Sequence, residues 1–97
     1  MGLIELTHPG EVLHEDFLEP LGITAYRLAK DIGVSQTRVS EILHGKRDLS
    51  PETSLLLGRY FGLPDGYWLR LQSDDDLRRA RRQMRQRIDS VRTLGRA

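Results

Sequence analysis

The side chains of this 97-residue chain best placed for chemistry are Gln36, Thr37, Arg38, Ser40 and Glu41, a run of hydrogen-bonding groups closely spaced in sequence. Their chemistry is that of base edges. A glutamine amide matches adenine N6 and N7, and a threonine offers its hydroxyl or a methyl contact to thymine. Arginine takes guanine or a phosphate, and a glutamate accepts from cytosine N4. Thr24, Ser35, Lys46 and Arg47 flank this run at helix ends and in the following loop, where backbone amides and cations hold phosphates. Polar residues on an exposed helix face are ordinarily just solvated, so the pattern gains meaning only from the elements that carry it. Catalysis has no comparable support. His8, His14 and His44 are scattered, no cysteine is present, and Gly45-Lys46 lacks the rest of a phosphate-binding loop. The sequence therefore predicts no enzyme, no metal site and no cofactor.

Residues 25–44, AYRLAKDIGVSQTRVSEILH, divide into two short helices around a glycine. Thr24 caps the first, Gly33 supplies the left-handed turn, and Ser35 caps the second, which runs to about His44. Leu28, Ala29, Ile32, Val34, Val39, Ile42 and Leu43 fall where two crossed helices bury them against each other, Ala29 being small where they approach closely. This is the spacing of a helix-turn-helix, whose second helix enters the DNA major groove. Upstream, Pro9 opens a helix with a stripe of Val12, Leu13, Phe17 and Leu18, which Pro20 and Gly22 should end. Downstream, Ser50-Pro51-Glu52 starts a fourth helix with Leu55, Leu57, Gly58 and Phe61 inward, and Pro64-Asp65 opens a fifth through Tyr67, Trp68 and Leu71. The expected fold is all-α: a five-helix Cro/repressor-like helix-turn-helix domain over residues 1–72, then a helical Arg-rich extension over 73–97. Ser73-Asp-Asp-Asp either caps a new helix there or interrupts a continuous one.

The net charge of +1 hides an asymmetry. Residues 1–77 hold seven Lys/Arg against thirteen Asp/Glu, a balance of −6, while residues 78–97 hold eight Arg against one Asp, a balance of +7. Such a tail suits phosphate or an acidic protein surface, or is simply a solvated helix paired with its own acids. Asp74–Arg78 and Asp75–Arg79 have the favourable i,i+4 order, and Leu77, Ala80, Met84, Ile88 and Val91 keep a narrow apolar stripe. A lone module of this size gives little sequence specificity, so a homodimer reading two half-sites is expected. Leu56, Tyr60, Trp68, Leu77 and Met84 are its candidate dimer or partner surfaces, although a tryptophan is more often core. No run spans a membrane, the opening MGLIELTHPGE lacks signal-peptide character, and the absence of cysteine fits a cytoplasmic protein.

Three segments together carry a family resemblance: THPGEVLHEDFLEPLGIT, LAKDIGVSQTRVSEILHGKRDLSPE and FGLPDGYWLRLQSDDDLRRARR. Over about residues 7–82 the chain resembles the HigA-type antitoxins of the XRE/Cro-like helix-turn-helix family. The resemblance implies an antitoxin of a type II toxin–antitoxin system that binds double-stranded DNA at the operator of its own operon as a repressing dimer. It also implies a protein partner, a HigB toxin of RelE-like ribonuclease type. The alternative is a stand-alone regulator of the same fold with no toxin. Two features depart from the pattern: Leu56 and Tyr60 on one helix face, and the arginine-rich stretch past Arg82. Glu11, Glu15, Asp16 and Glu19 on the first helix are the better electrostatic match for a basic toxin, or else an ordinary solvated face.

Overall fold

The computed structural model describes residues 8–95, which form six helices and no strand among them. We number them α1 (9–21), α2 (Ala25–Ile32), α3 (Gln36–Leu43), α4 (Pro51–Phe61), α5 (Tyr67–Gln83) and α6 (Arg85–Ser90). This is the expected five-helix arrangement with a further helix in the arginine-rich extension. Among the described residues no helix is long and apolar enough to cross a membrane, and no group of three or more His, Asp or Glu is placed to hold a metal ion.

α1 opens with His8, whose Nδ1 accepts the Gly10 N–H at 2.9 Å. Gly10 is buried where α1 crosses α3, and a Cβ there would collide with the Ile42 carbonyl oxygen. Pro20 does not end this helix, as the sequence suggested, but lies within its last turn. The preceding residues Leu13–Leu18 form a widened π turn, in which the Glu19 N–H reaches back five residues to the His14 carbonyl. The wider turn gives the proline ring room beside the carbonyl it would otherwise strike. Gly22 then ends the helix in the left-handed region.

The core joins α1, α2, α3, α4 and α5 through Leu13, Leu18, Leu28, Ala29, Val39, Ile42, Leu57 and Trp68, with Leu49 from the loop after α3. Ile32, Val34 and Leu43 pack against it half-buried. Trp68 is fully buried, its ring centroid 5.1 Å from that of Phe17 and 5.2 Å from that of Tyr67. It is therefore a core residue and not the interface residue proposed from sequence. A large aromatic at this crossing gains more from burial among rings than any surface contact would return. On α4 the inward residues are Thr53, Ser54, Leu57 and Gly58, whereas Leu55 faces out. Ser54 takes the buried place because its hydroxyl is satisfied on both sides, accepting the Leu69 N–H at 3.2 Å and donating to the Asp65 carbonyl at 3.4 Å.

α5 runs without a break across Ser73, so the expected division at residue 72/73 falls inside a continuous helix. Gln72 and Asp75 are buried, and Gln72 ties this stretch to the loop before α4 through the Leu49 N–H. Asp75 pairs with Arg79 as expected, but Arg78 also turns to Asp75, at 3.7 Å, instead of to Asp74. From Arg81 to Gly95 every residue is exposed.

Candidate nucleic-acid interface

The local chemistry that builds α2 and α3 is the one the sequence predicts. Thr24 Oγ1 accepts the Arg27 N–H and Ser35 Oγ accepts the Arg38 N–H, each at 3.0 Å. Each cap satisfies one of the amides a helix start leaves unpaired. Gly33 adopts φ 76° between them, a conformation that costs a side-chain-bearing residue and lets α3 turn across α2. Leu28 and Ala29 are buried on α2, and Val39 and Ile42 on α3. That packing fixes which side of α3 faces out.

Gln36 and Thr37 are exposed in the first turn of α3, and Arg38, Ser40 and Glu41 are half-exposed beside them. Thr24, Ser35, Lys46 and Arg47 are exposed. The structure brings Arg38 and Arg47 to one small cavity of about 140 Å³ at the start of α4, lined also by Asp48, Ser50, Glu52 and Thr53. Lys46 lies with Ser40, Glu41 and His44 around a second depression. Thr24 stands apart from both, at the mouth of a cavity between α1 and Leu43.

Two pairings alter the expected roles. Arg47 Nε donates to Glu41 Oε1 at 2.8 Å, so the two side chains given separate DNA contacts from sequence hold each other here. A phosphate reaching Arg47 competes with that carboxylate, and an exposed pair of this kind is weak enough to open. His44 Nδ1 donates to the Ser40 carbonyl at 2.8 Å, which closes the end of α3. The cations are also not alone on this face. Asp48 and Glu52 share the cavity of Arg38 and Arg47, so the face offers specific donors more than a strong positive field.

One cluster joining α2 to α4 escaped the sequence reading. The Tyr60 hydroxyl on α4 donates to Asp31 on α2 at 2.5 Å, and Arg27 Nε donates to the same carboxylate at 3.3 Å. The Tyr60 hydrogen bond, aided by Arg27, holds the Asp31 carboxyl below its ordinary range, and the same carboxylate pushes the Tyr60 phenol up. Arg27 and Asp31 are visible as an i,i+4 pair, but nothing in the sequence announces a tyrosine 29 residues further on. Tyr60 therefore ties α4 to α2. Of the other surface candidates, Leu56, Leu77 and Met84 are exposed, as are Ile88, Val91 and Leu94.

A helix-turn-helix family model matches residues 15–68, which span α2, α3 and α4 in full. The chain is 44% identical over 73 residues to virulence-associated protein I of Dichelobacter nodosus, covering 75% of this chain and 68% of that relative. It is 33% identical over 85 residues to antitoxin HigA-1 of Vibrio cholerae, covering 88% of this chain and 80% of the antitoxin. Its fold superposes on the Pseudomonas aeruginosa antitoxin HigA, solved with the higBA promoter, at a TM-score of 0.88 and 32% identity, over 94% of this chain and 100% of that one. The chain belongs to the HigA-type antitoxins of the XRE/Cro-like helix-turn-helix family. HigA-type proteins are DNA-binding regulators and not enzymes, in keeping with the face described above. The match to the antitoxin HigA fold extends well past α4 and takes in most of α5 and the extension.

Proposed function

We propose that this chain is the antitoxin of a type II toxin–antitoxin system, which represses its own operon as a dimer and neutralises a HigB-like, RelE-type ribonuclease. The observation that carries the DNA half is the polar first turn of α3. Gln36 and Thr37 stand clear of the protein on a helix whose opposite face, Val39 and Ile42, is locked into the core. Rigid presentation of that kind is what base readout requires. The Pseudomonas aeruginosa HigA structure, solved with promoter DNA, supports the same use of this fold. In this reading Gln36 and Thr37 read base edges, and Arg38, Ser40 and Glu41 border the same groove. Thr24, Ser35, Lys46 and Arg47 hold the backbone.

For the toxin half, α1 supplies the matching surface. Two adjoining cavities of about 480 and 350 Å³ share His14 and Leu43. Leu18, Ile23, Ala25 and Leu43 give them an apolar floor, and Glu11, Glu15 and Glu19 an acidic border. An acidic rim around an apolar floor suits a basic partner, which a ribonuclease that binds RNA is expected to be. The exposed stripe of Leu77 and Met84, continued by Ile88, is the surface proposed for the second subunit. Leu56 lies outside both.

Titration of the upstream DNA with Gln36→Ala, Thr37→Ala and Arg38→Ala tests the reading. Each base-reading residue is expected to cost about 1–3 kcal/mol on the operator and nothing on random DNA. Equal weakening on both DNAs assigns the residue to phosphate instead. Co-expression with the adjacent reading frame tests the other half: a small basic protein should co-purify, and Glu11→Lys with Glu15→Lys should release it.

A further inference from the structure

The loop that joins α3 to α4 carries Lys46 and Arg47, the two cations assigned to phosphate, so whatever fixes this loop fixes their reach. Its front is held by α3 itself. The Gly45 N–H bonds the Ile42 carbonyl at 3.1 Å, and the Lys46 N–H bonds the Glu41 carbonyl at 2.8 Å. Its rear is held from another element. The Leu49 N–H donates at 3.0 Å to Oε1 of Gln72, a side chain on α5 with only 4% of its surface exposed. The other end of that carboxamide is engaged too, Nε2 donating at 2.9 Å to Asp76, which is exposed one turn further along α5. His8 approaches the same loop at Asp48, but at 3.8 Å, beyond hydrogen-bonding distance. Gln72 is therefore the firm rear anchor, and Asp76 sets which way its amide points.

We propose that Gln72 is a positioning residue for DNA binding, holding the Lys46–Arg47 loop at the phosphate backbone, with Asp76 extending that link to the outer face of α5. A glutamine suits the task because one side chain presents an acceptor to the loop and a donor to the carboxylate. The buried Leu49 N–H has no second acceptor among the described hydrogen bonds, so losing Oε1 leaves it unpaired and loosens the loop, which then keeps only the Leu49 side chain's place in the core at its rear. Leu77 follows Asp76 directly and is exposed, so a subunit or toxin that covers this stretch of α5 presses on the same link. The inference rests on the assignment of Lys46 and Arg47 to phosphate.

The test is the salt dependence of operator binding for the full chain, with thermal melting recorded for each variant. Gln72→Leu keeps the volume and removes both hydrogen bonds. It is expected to weaken operator binding roughly 3- to 30-fold and to make the slope of log K against log salt shallower by about 2, the loss of two phosphate contacts. Gln72→Glu combined with Asp76→Asn keeps the acceptor for Leu49 and reverses the second hydrogen bond, the introduced asparagine amide donating to the introduced carboxylate, and is expected to restore the wild-type slope. Folded Gln72→Leu with wild-type affinity and slope overturns the proposal, as does equal weakening by Gln72→Leu and by the double variant. Should Gln72→Leu not fold at the assay temperature, Asp76→Ala decides, being an exposed change that frees the amide. A shallower slope then supports the proposal, and a wild-type slope overturns it. If wild-type protein shows no salt-dependent binding to its operator, the DNA-binding reading fails first. If it does bind but the Gln72 variants match it, only this inference is lost.

Discussion

The helix pair α2–α3 and the extension beyond Gln83 carry the same kind of sequence pattern, apolar residues three and four apart among polar ones, yet they end in opposite situations. In the pair, Leu28, Ala29, Val39 and Ile42 meet one another and are buried. In the extension, Met84, Ile88 and Val91 stay exposed. Amphipathic spacing states that a face needs a partner; it does not state which molecule supplies one. For α2 and α3 the partner is the same chain, and the result is a rigid platform for Gln36 and Thr37. For the extension the proposed partner is a second copy.

Substitutions in the core and in the exposed apolar stripe sharpen the contrast. Trp68→Ala, at the centre of the aromatic group with Phe17 and Tyr67, is expected to cost about 3–5 kcal/mol of unfolding free energy in a denaturant titration, because the cavity cannot close around so large a loss. Leu77→Asp or Met84→Asp should leave the unfolding free energy of the isolated chain almost unchanged. Each should weaken self-association by about 1.5–3 kcal/mol, the transfer value of one buried apolar side chain, as read by sedimentation. If either substitution unfolds the monomer, the extension is part of the core after all. The smallest effect belongs to Tyr60→Phe. Asp31 is held below its ordinary range by Tyr60, so the contribution of this contact is present above the unfolded carboxyl value near 3.9 and is lost as pH falls through the lower folded one. The phenol is shifted up, so its contribution is present below about 10 and lost as pH rises through the raised value. The phenylalanine variant should melt slightly lower at neutral pH and converge on wild type in acid.

What was legible in the sequence was what local chemistry decides. Thr24, Ser35 and Ser50 cap the helices they precede, and each cap can be read from a hydroxyl residue followed by helix-forming ones. The outward set on α3 followed from its inward set. The misread features depend on contacts between distant residues. Ser54 is buried and Leu55 exposed because two backbone groups, on Asp65 and Leu69, satisfy the serine hydroxyl, which hydrophobicity alone ranks the wrong way. Ser73 does not break α5, since Gln72 and Asp75 on either side of it are buried. Pro20 continues α1 because the turn before it widens, and no residue type signals a π turn in advance. Of the candidate interface, the exposure of Gln36 and Thr37 was legible, whereas the Arg47–Glu41 pairing and the anchoring of their loop by Gln72 were not.

The central claim is that the first turn of α3 lies in the major groove, and methylation protection on the upstream DNA tests it most directly. With folded wild-type protein, guanine N7 atoms should be shielded in two clusters about one helical turn apart, and Gln36→Ala with Thr37→Ala should abolish the shielding. Wild-type binding that leaves every guanine N7 reactive, with contacts confined to phosphates, would contradict it.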